Sequence, residues 1–397
     1  MAVARLGAGA GGSSTGAAVT FNSFNITSSD ANTVAIVGVV ISVSTSSTST
    51  TCAVTYGGTA MTQLNLTLAG SGTSRSAVGI YYLFNPGTGT QSVVVTPGGS
   101  STKAGVQCQM VGFSGVGSVG AAQTAAATSH SPTSTANGYD VRVLGNGATL
   151  TSPNQTQEYL NGASVGGVGD WMAMQSAAGT GSTISFTCSG TATTPQSVAT
   201  ALSAPLPATE TLTDDFTTKD TTKWTWDTGT DVNAGQARLQ PAPGELHITS
   251  NSLYTLVGSF ASVQVAQVTS QNTGLIVAAN SSESNALYMN YLAGTGIRLR
   301  EFVGGSASET TITYDAVAHQ YWQIRESGGT VFWETSPTGA AGSWTTQRSK
   351  SSGNDYSSID HVRLYADSSS GTQTALFDNF NIAPAATGST QGMLLMF

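Results

Sequence analysis

The hydrophobic positions of this chain recur every second residue or run together, and nowhere do they keep a helical period over three turns. Val34-Ala35-Ile36-Val37-Gly38-Val39-Val40-Ile41-Ser42-Val43 is β-branched at most positions and runs into a Ser/Thr tract. That pattern predicts a strand buried on both faces. Further strand patterns fall at 52–56, 77–84, 91–96, 106–113, 141–144, 171–174 and 184–188. They are separated by Gly57-Gly58, Asn85-Pro86-Gly87, Pro97-Gly98-Gly99 and Asn137-Gly138, residue pairs that favour turns. Short strands with such punctuation and no helix predict an antiparallel sandwich, because a sheet of this kind buries one face against another.

The later part of the chain alternates more cleanly. In His361-Val362-Arg363-Leu364-Tyr365 the apolar Val362 and Leu364 share one face, and Ile297-Arg298-Leu299-Arg300 does likewise. Strands are expected at 246–248, 262–268, 275–278, 287–292, 297–300, 321–325, 331–335, 361–365 and 375–382. Their number suits one jelly-roll sandwich. The fold class is therefore all-β, with two antiparallel β-sandwich domains. Ala204-Pro205-Leu206-Pro207 reads as the connector. The expected divisions are a flexible Gly/Ala/Ser-rich arm at 1–18, a first sandwich at 19–207, a second at 208–383 and a tail at 384–397. The arm should become ordered only against something else.

Charge separates the two halves. Residues 1–207 carry four basic and four acidic side chains, whereas the remainder carries nine basic and seventeen acidic ones, so the net charge of −8 lies wholly in the second part. Charged residues make up only 9% of the chain, so hydroxyls and amides must wet its surfaces. Net acidity without a basic cluster excludes a nucleic-acid footprint. The longest apolar run, 34–43, is too short to cross a bilayer, and the first residues lack the apolar core of an export signal. Cys52, Cys108 and Cys188 sit in strand patterns without metal-like spacing and read as small buried thiols.

Several segments carry a likeness to a known family. In the second domain they are Asp214-Asp215-Phe216, Tyr321-Trp322-Gln323-Ile324-Arg325-Glu326, Phe332-Trp333-Glu334-Thr335-Ser336-Pro337-Thr338-Gly339 with Trp344-Thr345, and Phe377-Asp378-Asn379-Phe380. This domain resembles the concanavalin A-like, laminin-G-like jelly rolls of minor tail proteins from phages that infect actinobacteria. The first domain resembles the sandwich that often precedes it there, through Val54-Thr55-Tyr56-Gly57-Gly58-Thr59-Ala60-Met61, Asn85-Pro86-Gly87-Thr88-Gly89-Thr90-Gln91 and Phe113-Ser114-Gly115-Val116. The resemblance implies a structural component of the virion tail, extracellular after host lysis. It would assemble with other tail proteins and with copies of itself as a homotrimer, and would meet a glycan of the host envelope. A secreted or surface carbohydrate-binding adhesin and a tail-borne glycan depolymerase are the alternatives.

Motifs of catalysis are weak. Gly7-Ala8-Gly9-Ala10-Gly11-Gly12 and Gly12-Ser13-Ser14-Thr15-Gly16 match phosphate-loop and nucleophile-elbow patterns, yet neither has the strand-to-helix setting that such geometry requires. His130, His247, His319 and His361 are scattered. No Glu-x-Asp-x-x-Glu occurs, and Glu326 and Glu334 are expected to pair with Arg325 or Arg298. The expectation is a protein that is not an enzyme and needs no cofactor. Tyr321, Arg325 and Trp333 are the candidate glycan site, since an indole stacks on a sugar face while a neighbouring cation bonds hydroxyls. Asp227 and Asp231 are weak calcium candidates flanking a turn. Met393-Leu394-Leu395-Met396-Phe397 is an apolar run expected to dock into a groove on a partner.

Overall fold

The computed structural model describes residues 2–383 apart from 9–10, 16–17, 44–49, 72–73, 100–102, 147–149, 162–170 and 191–194. The docking run 393–397 lies outside the described residues. The chain divides into two units, Met1–Pro205 and Leu206–Phe397.

In the first unit, Val34–Val43 is the middle of a six-stranded antiparallel sheet, flanked by Lys103–Ser114 and Ser74–Phe84. Its alternate side chains enter two different cores. Ala35, Val37, Val39, Ile41 and Val43 pack with Phe21, Phe24, Val54, Tyr56, Val93 and Val95 of a four-stranded sheet. Val34, Ile36 and Val40 pack with Val141, Val143, Met172, Met174, Val198 and Leu202 of a second six-stranded sheet. The unit is thus two β-sandwiches sharing one central sheet. Gly38 lies where two layers approach closely. A Cβ there would stand 2.6 Å from Val143 Cγ2 and 3.1 Å from Met174 Sδ.

The segment expected to be a flexible arm is instead part of this unit. Ala4–Ala8 and Gly12–Ser14 both pair with Lys103–Ser114, which would otherwise be an open sheet edge. Val3 is buried in one core and Leu6 packs against the other. The three cysteines are buried and unpaired, as their alternation predicts.

Much of the charge of the first unit is spent inside it. Arg142 and Asp140 point away from the main core, yet neither is exposed to solvent. Arg142 donates to Ser197 Oγ (3.0 Å), Gln175 Oε1 (3.0 Å) and Thr128 O (2.8 Å). Ser197 Oγ also lies 2.7 Å from His130 Nδ1. The side chain of Glu158 is fully enclosed and pairs with Arg5 at 2.5 Å. Burial pushes the Asp140 carboxyl up to about 6, against the opposing effect of the Ser134 hydroxyl that bonds it at 2.6 Å.

The second unit is a jelly roll of two seven-stranded antiparallel sheets. The front sheet runs Trp224–Trp226, Gly244–Ser250, His361–Ser368, Asn272–Ala278, Ala286–Leu292, Gly296–Val303, Ser306–Ile312. The back sheet runs Thr230–Asn233, Gln236–Leu239, Ala375–Asp378, Phe260–Gln267, Tyr321–Ser327, Thr330–Ser336, Thr345–Ser351. Between them lies one core that includes Leu275, Leu299, Val362 and Leu364 from the front and Val263, Trp322, Ile324 and Phe377 from the back. The two ends of the unit meet. Asp214 and Phe380 exchange backbone hydrogen bonds at 3.0 and 2.8 Å, and buried Asp214 accepts the Trp224 indole N–H at 2.9 Å. Phe216, Trp224 and Phe380 then close the core as an aromatic cluster.

Two outcomes follow for the first unit. Gly38→Val should cost about 1–3 kcal/mol through overpacking between layers, read by denaturant unfolding beside an exposed control substitution. A raised carboxyl contributes stability that is complete below its unfolded value near 3.8 and is lost as pH rises through about 6. Thermal melts between pH 4 and 7 should show that decline, and Asp140→Asn should remove it.

Candidate functional site

The structure separates the three residues expected to hold glycan. Trp333 pairs with Ile324 across the back sheet, which places it on the core face with Trp322. It is completely buried, its indole N–H donates to the Tyr288 carbonyl at 3.0 Å, and the Arg348 guanidinium lies 4.6 Å over its ring. No sugar can stack on it. Tyr321 faces outward but is buried beneath Gly339, where a Cβ would come within 2.7 Å of the ring. Arg325 is also outward and is engaged by Glu334 through two bonds of 3.0 Å, with Phe332 beneath it at 4.2 Å. The ion pair raises the Arg325 guanidinium above its usual value.

The calcium candidates are likewise not brought together as ligands. Asp231 forms a two-pronged pair with Arg238 on the back sheet. Asp227 accepts the His247 backbone N–H at 2.8 Å and lies 3.3 Å from its ring at the front sheet. Among the described residues no group of His, Cys, Asp and Glu has the arrangement of a metal site.

The outer face of the front sheet collects polar chemistry instead. Alternation that buries Val362, Leu364, Leu287, Met289, Ile297 and Leu299 turns Arg363, Tyr365, Tyr288, Asn290, Arg298 and Arg300 outward. Register sets them in rows. One row joins Thr249, Arg363, Ile276, Tyr288, Arg300 and Glu309; the next joins His247, Tyr365, Gly274, Asn290, Arg298 and Thr311. Gly274 lets the large neighbours close over the sheet, since a Cβ there would lie 2.2 Å from the Tyr365 ring.

Hydrogen bonds fix these side chains. Glu283 accepts from Tyr288 and Arg363 and bonds His361 Nε2 at 3.1 Å. Burial alone would raise its carboxyl, but the bonds from His361 and Tyr288 and the Arg363 charge outweigh burial and hold it at about 2. Burial and the carboxylate together push the Tyr288 phenol upward. Beside the second row, Asn272 Oδ1 accepts from Asn290 Nδ2 (2.9 Å) and from the Tyr365 hydroxyl (3.1 Å).

At one end this face runs into a pocket of about 290 Å³. Three loops build it around Ser270, Gln271, Leu292, Ala293, Ser368–Ser370 and Gln373. Gln373 Oε1 accepts from the Ser270 backbone N–H (3.2 Å) and hydroxyl (2.8 Å), while Gln271 Oε1 accepts from the Ser369 backbone N–H. Both amides are thereby oriented, and their nitrogens have no protein acceptor among the described residues. The walls are hydroxyl and amide groups over an apolar patch from Leu292 and Ala293, with no charged side chain. The outward arginines were legible in the alternation of residues 297–300. The pocket was not, because its walls come from loops more than twenty residues apart in sequence.

Four glutamates of the second unit fall on different faces. Glu301 is buried in the interior and bonded to Lys350 at 2.5 Å, whereas Glu309 pairs with Arg300 outside at 3.0 Å. Glu326 caps turns by accepting the backbone N–H groups of Gly258 and Gly329, both at 2.6 Å, and Glu334 holds Arg325 outside.

No family model and no curated protein matches the chain. Among solved structures it is similar to the β-glucanase of Bacillus licheniformis, with 9% identity and a TM-score of 0.34 over 42% of this chain and 96% of that one. It is also similar to the carbohydrate-binding module CBM66 of Bacillus subtilis, with 15% identity and a TM-score of 0.30 over 40% and 94%. The transglycosylase Crh5 gives 14% identity and a TM-score of 0.33 over 45% and 86%. At these identities the likeness is one of fold. Glucanases, a glycosidic hydrolase and a transglycosylase stand among these neighbours, against the expectation of a protein that is not an enzyme.

The burial of Trp333 has a measurable consequence. Trp333→Ala should lower the stability of the second unit by about 3–5 kcal/mol through the cavity it leaves. Chemical unfolding followed by intrinsic fluorescence reads this loss, and a variant as stable as the parent would contradict the placement of the ring.

Proposed function

We propose that the second unit binds glycan in the pocket at the end of its front sheet, and that the chain does so as a tail component of a phage, at the host envelope. The observation that carries the glycan reading is the pocket wall. Small-molecule sites begin at roughly 300 Å³ and are usually mostly apolar, with a few placed polar groups. Here the proportions are reversed: hydroxyls and oriented amides dominate over a small apolar patch. A sugar ring, with hydroxyls around its edge and C–H groups on its face, is the ligand class that matches such a wall. The tail reading draws on the residues of the second unit that resemble such proteins, Asp214-Asp215-Phe216 and Phe377-Asp378-Asn379-Phe380 among them.

Filling the pocket tests the first half. Ala293→Phe should weaken retention of the full chain on host-wall polysaccharide at least tenfold, about 1.4 kcal/mol, with its melting temperature unchanged. Equal retention by a folded Ala293→Phe protein would remove the pocket from the account. Mass spectrometry of purified particles tests the second half, since a protein recovered only from culture supernatant is no tail component.

A further inference from the structure

The second unit contains six arginines, and five of them are engaged. Arg238 pairs with Asp231, Arg300 with Glu309, Arg325 with Glu334 and Arg363 with Glu283. Arg348 donates to the carbonyls of Leu299 and Ser308 and to the Ser308 hydroxyl. Arg298 forms no ion pair or hydrogen bond among the described residues, although it is half-buried and its Nε is enclosed. Scarcity of acids does not explain this, because the whole net charge of −8 belongs to this part of the chain.

A half-buried guanidinium without a counter-charge has given up part of its hydration and gained no ion pair or hydrogen bond in return. Its neighbours share the condition. Asn290, directly opposite Arg298 on the adjoining strand, is fully buried and leaves Oδ1 without a donor, while its Nδ2 is held by Asn272. Thr311 stands opposite on the other side, and the Tyr365 hydroxyl is fixed by Asn272 in the same row. Across the sheet the cation is bordered on both sides by uncharged groups, Asn290 and Thr311. Leu292, which lines the pocket, lies on the same strand as Asn290 and two residues away, a step of about 7 Å. A chain with one ring in the pocket would carry its adjacent ring toward Arg298.

We infer that the glycan bound by this unit is acidic, a polysaccharide containing uronic acid, and that Arg298 receives the carboxylate of the ring next to the one in the pocket. The inference rests on the glycan reading above. A planar carboxylate matches the fork of a guanidinium through two parallel N–H bonds, which a compact ammonium cannot reproduce. The acidic surroundings of this unit would repel a dispersed polyanion, so selectivity depends on this one placed cation.

The test uses the full chain on immobilised polygalacturonate, alginate and hyaluronate, each beside its methyl-esterified form. At least one acid form should be retained ten times or more tightly than its ester. R298Q should abolish that preference, and R298K should restore only part of it, with melting temperatures showing all three proteins folded. Equal retention of acid and ester by the parent, with binding lost in A293F, would overturn the role of Arg298 and leave the pocket reading standing. A preference that survives in folded R298Q would also overturn it. Retention of neither form on any of the three would overturn both.

Discussion

The hydrogen bond from the Trp333 indole to the Tyr288 carbonyl joins the two sheets of the second unit. Its donor belongs to the back sheet, and its acceptor belongs to the strand that presents Tyr288 and Asn290 on the outer face of the front sheet. An indole can be buried only if its N–H finds an acceptor, and the large ring in turn sets the spacing of the layers around it. The outer face is stiff because the inner one is anchored. Trp322 and Trp224 follow the same rule, bonding the His319 carbonyl and Asp214 at 2.9 Å each. Three buried indoles, each with its acceptor, make a scaffold on which a polar surface can be held in one arrangement.

Much of this fold is legible in the sequence. The strand Val34–Val43 coincides with its apolar run, and the alternation of 361–365 and 297–300 gives the inward and outward sets correctly. Val19–Ile26, Thr62–Ser71 and Gln196–Ser203 escape, and three further features escape for physical reasons. Ser306–Ile312 and Thr345–Ser351 are outermost strands with mostly exposed, polar side chains; apart from Ile312 they pack no large apolar side chain on the core, so they leave no alternation to read. The shared central sheet of the first unit escapes because a strand serving two apolar cores looks the same as one buried in any other way. Trp333 escapes because alternation within one strand defines two faces without saying which is inside; only its register with Ile324 decides.

The family-like segments at the two ends of the second unit acquire a structural meaning. Asp214 and Phe380 are neighbours through paired backbone hydrogen bonds, and Phe216 and Phe380 pack on Trp224. A closing clasp of this sort constrains which residues can stand there whatever the surface is used for. Functional specificity has to be sought elsewhere, in loops and outward positions, where packing imposes less.

The interior use of charge in the first unit has a consequence for how that unit meets its surroundings. With Arg142, Asp140 and Glu158 withdrawn from solvent, few fixed charges remain at its surface for mobile ions to screen. Contacts made there rely on hydroxyls, amides and shape, and their strength should hardly change between dilute buffer and sea-strength salt. The acidic second unit has no such indifference, so one polypeptide presents an ion-insensitive surface and an ion-sensitive one.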